Sequence, residues 1–84
     1  MFIRNFQPTL VQQNGFLDVT ANNTEKLTIK VMDTEGNIKK TINTVAMAGT
    51  QQFLLNMEDL SLGRYIMNIF KKDIFLKSIR FEKL

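Results

Sequence analysis

The chain has 84 residues, of which 44% are hydrophobic and 23% charged, the make-up of one small folded domain spanning 1–84 rather than of a disordered segment. It contains no cysteine and no histidine, which removes disulfide scaffolds, thiolate nucleophiles, the usual transition-metal ligands and the commonest general base. The net charge of +3 is uneven along the chain: Met1 to Leu60 carries five basic and six acidic residues, and Ser61 to Leu84 carries six basic and two acidic.

Met1-Phe2-Ile3-Arg4-Asn5 is interrupted by Arg4 and Asn5 before any apolar h-region develops, so the N-terminus is not read as a signal peptide. Nor is any stretch apolar for long enough to cross a bilayer as a helix. As a complete product the polypeptide is expected in the cytoplasm; as the tail of a longer exported precursor it is expected to be secreted or held at the cell surface. Gln7-Pro8-Thr9 through Asn14 is the most loop-like part of the chain, and Pro8 suits a sheet edge or strand start. Asn14-Gly15 is a turn signal that opens a strand over Phe16-Leu17-Asp18-Val19-Thr20, and the polar Asn22-Asn23-Thr24 separates it from the next.

Leu27-Thr28-Ile29-Lys30-Val31 alternates apolar and polar with period two and is the clearest strand. Asp33-Thr34-Glu35-Gly36-Asn37 turns the chain, with Gly36 and Asn37 tolerant of positive φ, and Ile38-Lys39-Lys40-Thr41-Ile42 returns to complete a hairpin. After Ala46-Met47-Ala48-Gly49, the run Thr50 to Asn56 forms a strand with Phe53 and Leu55 on one face. The connection Met57-Glu58-Asp59-Leu60-Ser61 is read as one short helical turn capped by its acidic residues. Leu60-Ser61-Leu62-Gly63-Arg64-Tyr65 then enters a final hairpin, Ile66 to Phe70 and back to Leu84, with Lys71-Lys72 at its tip. Glycine leading into tyrosine at such a bend suits a buried ring whose hydroxyl reaches backbone at the corner. Strands punctuated by turns every 8–12 residues or so predict an all-β sandwich or barrel of about six or seven strands.

Glu58 and Asp59 are neighbours, which rarely converge on one substrate atom, and Asp33 with Glu35 lacks the remaining ligands of a calcium loop, so both sets are read as turn residues. No catalytic, cofactor or metal residues are assigned, and no small-molecule substrate is expected. The basic bias of the last hairpin would suit nucleic acid only with exposed aromatics between the charges. Tyr65, Phe70, Phe75 and Phe81 instead sit in apolar runs read as core, and the lysines are read as gatekeepers along solvated strands. With no tryptophan and one tyrosine, a sugar-stacking platform is not expected either.

The order Leu27-x-Ile29-x-Val31-x-Asp33-x-x-Gly36-x-Ile38, then Gly49, then Leu60-x-x-Gly63-x-Tyr65-x-x-x-Ile69, then Ile79-x-Phe81-x-Lys83 resembles the C-terminal sorting domain of proteins exported by the type IX (Por) secretion system. The likeness runs from about Phe16 to Leu84. It implies an immunoglobulin-like antiparallel β-sandwich, without catalytic activity, that sits behind a cargo domain. Outer-membrane secretion machinery would recognise it for export or surface attachment of the cargo. The residues that the resemblance marks for recognition are Asp33, Gly36, Leu60, Gly63, Tyr65, Phe81 and Lys83, of which Lys83 alone has no evident packing role. A stand-alone immunoglobulin-like interaction or adhesion module, binding protein partners by strand-edge pairing, is the alternative, and the open edges of so small a sandwich also predict a homodimer.

Overall fold

The computed structural model describes residues 1–84 and contains eight strands and no helix. They are β1 (Phe2–Gln7), β2 (Leu10–Val11), β3 (Asn14–Ala21), β4 (Glu25–Asp33), β5 (Ile38–Ala46), β6 (Gly49–Asn56), β7 (Gly63–Lys71) and β8 (Ile74–Lys83). Two sheets pack face to face, one in the order β1-β3-β6 and the other in the order β2-β8-β7-β4-β5. The expected all-β sandwich is therefore the architecture, with more strands than the six or seven read from the sequence. The excess lies at the N-terminus: β1, before the segment expected to be loop, pairs with β3, and within that segment, after the cis Gln7–Pro8 bond, the chain crosses to the other sheet as β2. There Leu10 and Val11 run parallel to Glu82 and Lys83, the one parallel pair in a sandwich otherwise antiparallel.

Period-two patterning decides which side chains meet between the sheets. Leu27, Ile29 and Val31 of β4 face inward beside Tyr65, Met67 and Ile69 of β7, with Ile29 opposite Ile69 and Val31 opposite Met67. From the other sheet come Leu17 and Val19 of β3 and Leu55 of β6. Full burial of each large aliphatic side chain contributes about 1.5–3 kcal/mol, which is the main support of a chain with no disulfide.

Three local expectations are corrected. Asn14-Gly15 does not form a turn: both residues lie in β3, and Gly15 faces inward where the Phe6 ring occupies the space that a Cβ would need. Met57 to Ser61 is not helical. It is a single turn closed by a Leu60 N–H bond to Met57 O, and Asn56 rather than an acid caps it, its Oδ1 accepting from Glu58 N–H at 2.8 Å. The two acids reach elsewhere, Glu58 accepting from Gln13 and Asp59 from Lys40. Finally, Phe70 and Phe75 are not core. Alternation from inward Ile69 turns Phe70 outward, and a bulge between Ile69 and Phe70 sets Phe75 opposite it, 55% exposed, the two rings meeting edge-on.

Candidate functional site

The hairpin joining β4 to β5 closes on Asp33. Its Oδ1 accepts backbone N–H bonds from Glu35 and Asn37, both at 2.9 Å, and its Oδ2 accepts from the Asn37 side chain. The Asn37 backbone bond is the main reason its carboxyl is held below the ordinary aspartate range, with Lys39 adding a weak attraction from 3.8 Å. Gly36 completes the turn with φ of 87°, which a side chain resists. The carboxylate expected to be a turn residue is thus occupied with amides.

On the neighbouring strand the β6–β7 connection ends at Gly63, whose φ is 145°, and Tyr65 follows. The Tyr65 ring is only 6% exposed, and its hydroxyl donates to Ser61 O at 2.7 Å, the corner bond anticipated from the glycine–tyrosine spacing. Leu60 is buried just before it. Tyr65 stacks on Phe81 of β8 at 5.6 Å between centroids, and Phe81 meets Phe6 at the same distance. Phe81 is thereby the middle ring of an aromatic line joining the two sheets.

Register brings these segments together. Asp33, Tyr65 and Phe81 form one row across β4, β7 and β8, and Gly63 lies opposite Lys83 a short step further along. A depression of about 360 Å³ opens at this end, lined by Asp33, Leu60, Leu62, Gly63 and Tyr65 among others. A neighbouring groove of about 500 Å³ is lined by Leu10, Arg64, Tyr65, Ile66, Arg80 and Phe81. Gly36 and Lys83 line neither. Lys83 is 7% exposed, its stem packed inward in step with Phe81 and its ammonium donating to Leu84 O at 3.3 Å. The lysine read as having no packing role is therefore built into the closing strand.

Two neighbours of this end were not among the residues marked for recognition. Leu62 is 76% exposed at the mouth of the depression. No periodic pattern in the sequence distinguishes it from Leu60, two residues earlier, which is buried. Asp59 lines the same depression and pairs with Lys40 at 2.8 Å; that hydrogen bond chiefly holds its carboxyl below the ordinary range.

Residues 13–79 match the family model described as the secretion system C-terminal sorting domain. The match covers well over half of the chain, and the protein belongs to that family, the type IX tails that resemblance had indicated. Asp33, Gly36, Leu60, Gly63 and Tyr65 fall inside the matched span; Phe81 and Lys83 lie beyond it. Curated proteins gave no match, and neither did solved structures.

Proposed function

We propose that this chain is a non-catalytic sorting domain with an immunoglobulin-like sandwich, and that type IX machinery at the outer membrane recognises the sandwich end carrying Asp33, Gly36, Leu60, Gly63 and Tyr65. Export or surface attachment of a cargo is the outcome of that recognition. The observation that carries the reading is convergence: segments far apart in the chain meet in one row and around one depression, with Leu62 exposed at its mouth. The strand order of the two sheets and the Tyr65 corner bond support the immunoglobulin-like assignment. The carboxylates there are spent on turn amides and a lysine, which favours a binding role over acid–base chemistry. Phe81 and Lys83 serve the site from beneath, one supporting Tyr65 and the other anchoring the last strand.

The test is to place the full chain behind an exported reporter in a host with type IX secretion. Release or surface display is expected, and Leu62→Ser is expected to reduce it without lowering the melting temperature of the isolated domain. Retention of the wild-type fusion in the periplasm would refute the sorting role; full export of a Leu62→Ser fusion would remove the depression from the recognised surface.

One observation favours a second reading, a protein-interaction module that pairs through a strand edge. β6 carries no charged residue in its eight positions and hydrogen-bonds only to β3, so its other edge is open to a second copy or a partner strand.

A further inference from the structure

The chain's excess positive charge is gathered on one surface. Alternation turns Lys26 and Lys30 of β4, Arg64 of β7, and Arg80 and Glu82 of β8 to the outside of the five-stranded sheet, and Lys72 and Asp73 border the same face beside Thr28, Lys30 and Phe70. Five cations against two carboxylates give this face an excess equal to the whole chain's net charge of +3, so that the remaining charges cancel. The ion pairs of the sandwich use Lys39, Lys40 and Lys71, leaving all five cations of the face unpaired. By contrast, the three strands of the other sheet contain one cation, Arg4, and one carboxylate, Asp18, which accepts a hydrogen bond from Gln52.

Apolar groups lie between these cations rather than apart from them. Leu10 and Ile38 at the sheet margins and Ile74 and Phe75 near the β7–β8 tip are exposed, and Ile66, Met32 and Phe70 are half-buried among the basic residues. Lys30 holds its ammonium 5.1 Å from the centre of the Phe70 ring, leaving both groups on the face. The Phe70 and Phe75 rings engage each other edge-on, which suits them poorly as open platforms for nucleic-acid bases. A surface with cations and aliphatic groups intermixed matches a boundary that offers phosphate charge and hydrocarbon together.

We propose that the outward face of the five-stranded sheet is a membrane-contact surface that takes an anionic phospholipid bilayer. This inference goes beyond the sorting role: the face meets the recognised end at Arg64, which also lines the depression, and the variants below are placed outside that depression. The test is flotation of the full chain with phosphatidylglycerol-containing vesicles and with phosphatidylcholine vesicles, at low and high salt. Binding to the anionic vesicles alone, weakened by salt, is expected. Each cation removed is expected to weaken partitioning about fivefold, so the Lys26→Gln/Arg80→Gln double variant should bind roughly thirtyfold less well. Arg4→Gln, off this face, should bind as wild type, and Phe75→Ser should bind less well at every salt concentration. Thermal melting of each variant separates lost binding from lost folding. No binding to anionic vesicles, equal loss in Arg4→Gln, or tighter binding to oligothymidylate or polyglutamate than to the vesicles would overturn the proposal.

Discussion

Replacing Gly15 with alanine probes the tightest contact of the sandwich. Gly15 faces inward on β3, with the Phe6 ring in the space of the missing Cβ. That ring has little freedom to retreat, since it is buried and also meets Phe81, which is stacked on Tyr65. Two effects oppose one another. Forcing a methyl group into a filled core costs about 1–3 kcal/mol, whereas replacing a strand glycine by alanine recovers about 0.5–1 kcal/mol, mostly through the unfolded chain. Over most of that range the steric cost wins, leaving a net loss of about 1–2 kcal/mol. For a domain of this size each kcal/mol corresponds to roughly 4–8 °C in Tm, so a fall of roughly 5–15 °C is expected.

The assay is thermal and urea unfolding followed by circular dichroism, for wild type, Gly15→Ala, Phe6→Leu and the double variant. A smaller side chain at position 6 should relieve the crowding, so the two substitutions should be coupled by about 0.5–3 kcal/mol. A Gly15→Ala protein more stable than wild type would refute the argument. So would effects that add to within about 0.5 kcal/mol, because two groups in such contact cannot act independently.

Tyr65→Phe keeps the ring on Phe81 and loses only the bond to Ser61 O, for an expected loss of about 0.5–1.5 kcal/mol; Tyr65→Ala empties the corner and should cost about 3–5 kcal/mol, both measured by urea unfolding. Because the Asp33 carboxyl is held below its ordinary range, it contributes stability above that range and loses it as pH falls through the lowered folded-state value; Asp33→Asn should therefore flatten that part of an acid-unfolding profile. Gly36→Ala, forced into positive φ, should lower stability by about 1 kcal/mol in the same unfolding assay with little change in far-ultraviolet circular dichroism. If the β6 edge supports self-association, light scattering across a concentration series should show a dimer that Leu54→Lys, placing a charge on that exposed strand, abolishes.

What could be read from the sequence was whatever a strand decides within itself. The alternation of β4 and β7 is carried by adjacent residues, so Leu27, Ile29 and Val31 could be assigned to the interior before any partner strand was known. The Tyr65 corner is equally local, its hydroxyl reaching only four residues back to Ser61. The same parity, carried one residue past Ile69, turns Phe70 outward. Counting it as core put aromatic character above strand phase, and phase wins because a pleated backbone sends adjacent side chains to opposite faces. Lys83 is the converse case: charge suggested solvent, but its position in step with Phe81 buries it, and the long stem lets the ammonium reach Leu84 O.

The remainder depended on partners distant in the chain. Asn14-Gly15 has the composition of a turn, and only the pairing of β1 with β3 brings the Phe6 ring to Gly15 and explains the glycine by space instead. β2 has two residues and no alternation to recognise, and it exists because its backbone pairs with Glu82 and Lys83 near the opposite terminus. The candidate site has the same character. Each residue of the row Asp33, Tyr65, Phe81 has a local packing or turn reason to be what it is, and their juxtaposition arises only from the registers of β4 with β7 and β7 with β8. A partner that reads this end reads a property of the folded sheet. Substitutions that shift register, such as deletion of one residue from β7, should then abolish recognition even with every marked side chain retained, because a one-residue slip sends alternate side chains to the wrong face.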